Sequence, residues 1–153
     1  MRTSNQPALE PVPPSRSVRV VIRPLTKVLN PVMERVAGRR HLGGAALLSH
    51  TGRRSGKRYT VPVAARLTGD TAVIALTFGN TSDWVRNVRA AGGCLIRLNG
   101  IEYPLTDPEF RSMAEARPLV RAAFNPMFRA VFVMLGIRQV MVLRVVRNAS
   151  SAT

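Results

Sequence analysis

The stretch His50-Thr51-Gly52-Arg53-Arg54-Ser55-Gly56-Lys57-Arg58-Tyr59-Thr60-Val61-Pro62 decides how the rest of the chain is read. It separates two strand-like apolar runs, residues 45–49 and 59–67, and so predicts a hairpin with a basic, glycine-containing turn. Gly52 and Gly56 let the backbone take turn conformations that other residues resist, and they bring amide N–H groups close to a ligand. Arg54, Lys57 and Arg58 add charge, so the turn can hold a phosphate or carboxylate through backbone and side chains together. A solvated basic hairpin turn is the other reading of the same residues. A Walker loop is excluded, because the Gly-Lys-Ser/Thr ending is missing and the following residues read as strand rather than helix.

Working outward, residues 71–78 form a further apolar run, joined to the preceding strand by Thr68-Gly69-Asp70. Gly79-Asn80-Thr81-Ser82 is a turn, and Ser82 or Asp83 can cap a short helix through Ala91 that Gly92-Gly93 ends. Residues 94–98 and 101–106 are joined by Asn99-Gly100, the strongest short hairpin signal in the chain. Asp107-Pro108 is expected to open a helical stretch to about Phe124, interrupted by Pro118, and Asn125-Pro126 to start another that ends at Gly136. Residues 139–146, rich in β-branched side chains, give a final strand. About six mostly antiparallel strands with short turns, and one helix between the third and fourth, predict a mainly β fold of the α+β class. Meander connections favour a small barrel with peripheral helices over a βαβ sheet.

At 153 residues the chain suits one domain with a core that needs no staples, and no repeat or linker divides it. The net charge of +15, from 23 Arg and Lys against 8 acids, is far from ordinary. No acid occurs from Arg35 to Gly69. Such a field draws polyanions: nucleic acid, anionic lipid, or a phosphorylated or polycarboxylate cofactor. The preference for arginine, with Lys27 and Lys57 the only lysines, also fits a GC-rich coding sequence, which does not account for the scarcity of acids. The eight aromatic residues are not interleaved with arginines, so no stacking platform for nucleic acid is formed and no such partner is expected. Cys94, alone in the chain and set in apolar Gly-Gly-Cys-Leu-Ile, excludes an intrachain disulfide and a multi-cysteine zinc site and reads as a buried thiol.

Residues 1–17 read as a disordered tail rich in Pro, Ser and Asn, and 149–153 as a second tail. The first twenty residues lack the apolar core of a secretory signal, and no uncharged apolar run reaches the length needed to span a bilayer. A reduced cytoplasmic setting is the expectation. Within 18–40 the pattern turns helical after Pro24, with Leu25, Val28, Leu29, Val32, Met33 and Val36 at three- and four-residue spacing and Gly38 at its end. Basic residues flank this stripe. Such a helix packs on its own domain or a second subunit, or lies peripherally on an anionic membrane at the inner face of the plasma membrane.

Acid–base catalysis has little foothold here. His41 and His50 have no companions at metal-ligand spacing, no Gly-x-Ser-x-Gly elbow surrounds Ser49 or Ser55, and no paired carboxylates emerge. His50, at the mouth of the basic loop, can donate to an anion or serve a structural or solvent-facing role. On the helix from Asp83, Trp84, Asn87 and Val88 share one face, so an indole and an amide could meet the edge of a flat heteroaromatic ligand. The same pair also reads as a core anchor and a loop-bonding amide.

Thr51-Gly52-Arg53-x-Ser55-Gly56, Pro62 six residues later, and Trp84-x-x-Asn87-x-Arg89-Ala90 together resemble the deazaflavin-dependent nitroreductase family of split β-barrel flavin/deazaflavin oxidoreductases. The resemblance runs from about Leu42 to Val146 and makes residues 41–148 a split β-barrel deazaflavin-binding domain. Members of that family use coenzyme F420, a deazaflavin with a phosphate and an oligoglutamate tail, which would give the positive charge a purpose. By the same resemblance Arg54, Ser55, Gly56 and Lys57 would grip the phosphate and the start of the tail. Pro62, Val63 and Ala64 would lie along the ring, Thr77 and Phe78 would border it from the next strand, and Trp84 and Asn87 would close the site. Phe78 stands where relatives often carry a basic residue, and Val85 where a tyrosine often follows the tryptophan, so that tyrosine's role does not carry over. No catalytic residue is assigned.

The expected activity is an F420-dependent reductase that passes a hydride to a hydrophobic electrophilic acceptor such as a quinone, nitro compound or activated alkene. The cofactor would supply the chemistry, which accounts for the missing acid–base dyad. Apolar residues near the C-terminal helices, Met127, Phe128, Phe132, Met134 and Leu135, form either an acceptor pocket or core, and a homodimer of barrels is compatible with the fold. A polyanion-binding module, or an FMN- or haem-using barrel, are the alternatives.

Overall fold

A computed structural model describes Pro11 and residues 45–147. The expected helix at 18–40, the tail at 149–153 and all of the tail at 1–17 except Pro11 lie outside the described residues.

Six strands, β1 (Ala45–Thr51), β2 (Arg58–Thr68), β3 (Thr71–Ala75), β4 (Gly93–Leu98), β5 (Ile101–Ser112) and β6 (Gln139–Val145), close into a barrel in the order β1-β2-β3-β6-β5-β4. Every pairing is antiparallel, and Leu47–Arg97, Leu48–Ile96 and Ser49–Leu95 shut the ring between β1 and β4. The fold is therefore the mainly β barrel that the strand count and short turns predict. Helix α1 (Asp83–Ala91) lies between β3 and β4, and helices α2 (Arg117–Ala123) and α3 (Pro126–Leu135) lie between β5 and β6. Asn99 at φ 51° and Gly100 at φ 80° make the β4–β5 turn left-handed at both central positions, the twist that a tight hairpin requires.

Strand alternation divides the apolar residues between two cores. Leu48, Ile74, Ile96, Met141 and Leu143 fill the barrel, where Val85 and Val88 of α1 join them. Their neighbours in sequence, Val73, Ala75, Val140 and Val142, face outward and are covered by Val120 of α2 and Phe132 of α3. β3 and β6 are thus buried on both faces, which is why they read as continuous apolar runs instead of alternating ones. Each fully buried Val, Leu or Ile is worth ~1.5–3 kcal/mol, so this double burial anchors the sheet at its centre.

Two boundaries differ from the sequence reading. β3 stops at Ala75, and Thr77 and Phe78 belong to a turn in which Thr77 N–H donates to Ala75 O and Gly79 N–H to Leu76 O, both at 3.1 Å. Apolar character continues past the ladder there, but the backbone leaves it. Conversely, the helix expected from Asp107 is strand: β5 runs on to Ser112 through a register shift between Thr106 and Glu109. Asp107, at φ 55°, turns the bulge and accepts an ion-paired hydrogen bond from Arg144. Pro108, lacking an N–H, is tolerated because the ladder is already interrupted at that point. Pro118 does not interrupt a helix but sits in the first turn of α2, where its missing donor costs nothing. Asn125 caps α3 by accepting from Phe128 N–H at 2.9 Å, and Gly136 ends it at φ 66°.

Candidate functional site

The basic loop and α1 meet at one end of the barrel around a cleft of about 560 Å³. Its walls come from the end of β1 (His50), the loop (Gly52, Arg53, Arg54, Ser55), the start of β2 (Tyr59, Thr60, Val61) and α1 (Asp83, Trp84, Asn87).

The loop is shaped by its own bonds. Gly52 N–H donates to Lys57 O at 2.7 Å, Gly56 N–H to Gly52 O at 2.9 Å, and Lys57 N–H to Ser55 Oγ at 3.2 Å. Gly56 is at φ +67°, a conformation that suits glycine, and a Cβ on Gly52 would come within 2.4 Å of Ser55 Oγ. These bonds use amides that the sequence reading reserved for a ligand. Of the loop's backbone donors, those of Arg54 and Ser55 are not drawn into them, so an anion would be held mainly by side chains.

Asn87 ties this loop to α1. Its Oδ1 accepts from the Arg53 backbone N–H at 3.1 Å and from Arg53 Nη1 at 2.8 Å, and Arg53 Nη2 reaches Asp83 Oδ1 at 3.2 Å. Two donors fix that atom as the amide oxygen, so the amide nitrogen is the end that faces His50 Nδ1 at 3.1 Å. Nδ1 must then be an acceptor, which leaves the His50 proton on Nε2 and the ring neutral. Burial lowers the His50 pKa in the same direction, and the ring stacks on Tyr59 at 5.7 Å between centroids.

Charge in the site is unbalanced. Five of the acids among the described residues are committed to arginines: Asp70 to Arg147, Asp83 to Arg53, Glu102 to Arg97, Asp107 to Arg144 and Glu109 to Arg111. Glu115 accepts from Ser112 N–H at the approach to α2. Arg54, Lys57 and Arg58 therefore have no acidic partner among the described residues; all three are exposed, and Arg54 lines the cleft.

The sequence profile of the F420H(2)-dependent quinone reductase family matches residues 25–127. The chain belongs to this family. It is accordingly an oxidoreductase, and its cofactor is coenzyme F420. A search of curated proteins finds no match. Among solved structures, the fold is similar to an F420-H2 dependent reductase, FDR-A, at 18% identity and TM-score 0.49, over 66% of this chain and 94% of that one. It is also similar to a chain described as a domain-swapped dimer, at 15% identity and TM-score 0.49, over 78% and 96% of the two.

The residues present suit an F420-reductase cofactor with a flat ring and an anionic tail. Arg54, without an acidic partner among the described residues, lines the cleft, Lys57 and Arg58 follow it in the chain, and Trp84, Tyr59 and His50 supply ring faces and edges. Of the residues the sequence singled out, Arg54, Ser55, Trp84 and Asn87 are brought together at the cleft, with Gly56 and Lys57 in the same loop. Val63 packs toward the barrel interior, whereas Ala64 packs against the outer cluster, so the two occupy opposite faces of β2. Pro62 lies further along β2, and Thr77 and Phe78 sit in the turn after β3; none of the three lines the cleft. Val85, the residue after Trp84, is 1% exposed in the barrel core. Sequence reasoning did not place Arg53, Tyr59, Thr60 and Asp83 in the site. The four-residue step from Asp83 to Asn87 on one helix face was the available signal for the Arg53 latch.

Proposed function

We propose that the reductase activity is carried out in this cleft, with a hydrophobic electrophile as acceptor: a quinone, a nitro compound or an activated alkene. The observation that carries the reading is the set of three cations without acidic partners beside a cleft walled by an indole, a phenol and a neutral imidazole. When bound, F420 in its reduced form supplies a hydride. The chain's own residues bind and orient. Arg54 and Lys57 hold phosphate and glutamate carboxylates through charge-assisted bonds, with Ser55 adding a hydroxyl. Trp84 covers the ring, while Asn87 and Arg53 keep the loop at a fixed distance from α1. His50, with its proton on Nε2, offers a neutral donor to a carbonyl or nitro oxygen. The proton that completes the reduction comes from solvent, since the one carboxylate lining the cleft is Asp83, which is engaged by Arg53.

Two barrels that assemble as a homodimer would meet through faces of the described barrel, since among the described residues the closed ring leaves no edge strand. Among the described residues no helix is long and apolar enough to cross a membrane.

Fluorescence titration with F420 and, separately, FMN tests the cleft. Arg54→Ala should weaken F420 binding by about 10- to 150-fold, the ~1.5–3 kcal/mol of a hydrogen bond to a charged group. Unchanged affinity removes Arg54 from the site, and binding of FMN in preference to F420 overturns the reading. Turnover with quinone, nitro and alkene acceptors then identifies the acceptor class.

A further inference from the structure

Helices α2 and α3 enclose a second cleft of about 310 Å³, which shares no lining residue with the cleft of the basic loop. Val120, Phe132 and Ile137, all buried, form its apolar floor. Phe132 is held edge-on against Phe124, with ring centroids 4.9 Å apart, so the floor is fixed in place by the fold itself. Three guanidinium groups line the same cleft, Arg117 and Arg121 from α2 and Arg129 from α3.

The polar lining is entirely of one kind. No carboxylate, amide or hydroxyl side chain faces the cleft, so its side chains offer strong hydrogen-bond donors and no strong acceptor. None of the three arginines belongs to the ion pairs of the described residues. From Ala116 to Thr153 the chain has no acidic residue, and Glu115, just before, accepts from Ser112 N–H at 3.0 Å. Arg117 and Arg121 stand four apart on α2, a like-charge spacing that works against the helix. Arg129 adds a third positive charge from the facing helix, and its Nε is buried without a hydrogen-bond partner among the described residues. A buried donor left unpaired costs stability. The arrangement becomes favourable once acceptor oxygens of negative charge stand among the guanidinium groups.

We propose that the α2–α3 cleft is a binding site for a small organic carboxylate with a compact apolar body and no amine. The carboxylate meets the arginines and the body rests on Val120, Phe132 and Ile137. Size and lining both narrow the class. Ligand pockets span ~300–1,000 Å³, and this cleft lies at the lower end, which suits a single ring and excludes a nucleotide. An amino acid is excluded by chemistry: its ammonium would find no acceptor side chain and would face three cations.

Amide NMR titration of the full chain tests the site with three probes: hydrocinnamate, phenylalanine (the same body with an ammonium) and acetate (the charge without the body). Signals of α2, α3 and Ile137 should shift saturably with hydrocinnamate, while phenylalanine and acetate bind at least ~10-fold more weakly. Arg121→Gln, at an exposed side chain, should weaken hydrocinnamate about 10-fold or more, the loss of one charge-assisted bond. Arg129→Met keeps an apolar stem and should weaken it as far, with the melting temperature at or above that of the parent because the unpaired donor is gone. Arg54→Gln should leave hydrocinnamate binding unchanged. Equal binding of the three probes overturns the proposal, as does the absence of shifts in α2 and α3. A loss with Arg54→Gln as large as with Arg121→Gln also overturns it, by placing the probe in the cleft of the basic loop. So does a fall in the melting temperature of Arg129→Met, which would give that guanidinium to the fold instead of a ligand.

Discussion

Replacing Asn87 with alanine should release the basic loop from α1, and the structure sets the scale of the loss. Three bonds go: Arg53 N–H to Oδ1 at 3.1 Å, Arg53 Nη1 to Oδ1 at 2.8 Å, and the amide nitrogen to His50 Nδ1 at 3.1 Å. A neutral hydrogen bond nets ~1 kcal/mol, and one to a charged partner ~1.5–3 kcal/mol. The Arg53 side chain is 26% exposed, so its guanidinium recovers water once freed, and its bond is better counted at ~1 kcal/mol. His50 Nδ1 has less recourse: the residue is 8% exposed, and an acceptor left buried costs ~1–3 kcal/mol. The expected loss is ~3 kcal/mol, a large fraction of a small domain's stability. Urea unfolding followed by the fluorescence of Trp84 reads it directly, because this is the only tryptophan and lies one turn from the substitution. The midpoint should fall with the slope unchanged. A loss under ~1 kcal/mol, with F420 affinity intact, would refute the reasoning. It would mean that the turn bonds between Gly52 and Lys57 hold the loop without α1.

Three further outcomes follow from particular contacts. Burial lowers the His50 pKa below its ordinary 6.5, so its contribution is complete above that pH. As the pH falls below 6.5 the unfolded chain protonates first and stability declines down through the folded pKa, where a proton on Nδ1 would also face the Asn87 N–H. Urea midpoints between pH 5 and 8 should show this slope, and a flat profile would contradict the neutral tautomer. Gly93→Ala places a Cβ 2.2 Å from the Leu105 carbonyl oxygen, against backbone that cannot swing away, and should cost ~3 kcal/mol. Gly92→Ala next to it meets open space and suffers only from φ +73°, ~1–2 kcal/mol; equal losses at the two sites would show that the clash is absorbed. Burial pushes the Cys94 thiol up to about 12, leaving almost no thiolate at pH 8. A disulfide reagent should therefore modify it only as fast as the protein opens, whereas prompt reaction without denaturant would place the thiol at the surface.

How far the fold could be read from sequence depended on whether a local signal had a single physical cause. Asn99-Gly100 allows few conformations, and the hairpin forms there with both residues left-handed. Asp107-Pro108 has two causes available, helix start or bulge, and the choice lies in β6, whose Arg144 reaches back to Asp107. That partner is 37 residues away, so no local pattern could supply it. The apolar run through Phe78 failed for the same kind of reason: hydrophobicity reports burial, and Leu76 remains buried after the ladder has ended. In the site, the basic loop and the Trp84–Asn87 pair were legible as chemistry. What Asn87 does was not, because its amide is spent on Arg53 and His50, which adjoin it only once the barrel has closed.

The charge imbalance illustrates the difference between what a composition states and what a structure locates. A net charge of +15 could be spread evenly as solvated surface. Here the few acids are removed from the count first, because five of those described are each matched to an arginine that does architectural work, such as Arg53 at the loop or Arg144 at the bulge. What remains uncompensated is therefore placed by where acids are absent. Arg54, Lys57 and Arg58 lie beside one cleft and Arg117, Arg121 and Arg129 beside the other. A guanidinium without a counter-ion beside a concave surface carries a standing attraction for anions that salt alone can screen. On the proposed reading, scarcity of acids more than abundance of arginine is what would suit the cleft beside the basic loop to an anion, and introducing a single Glu there should weaken F420 binding, read by fluorescence titration, more than removing a basic residue elsewhere.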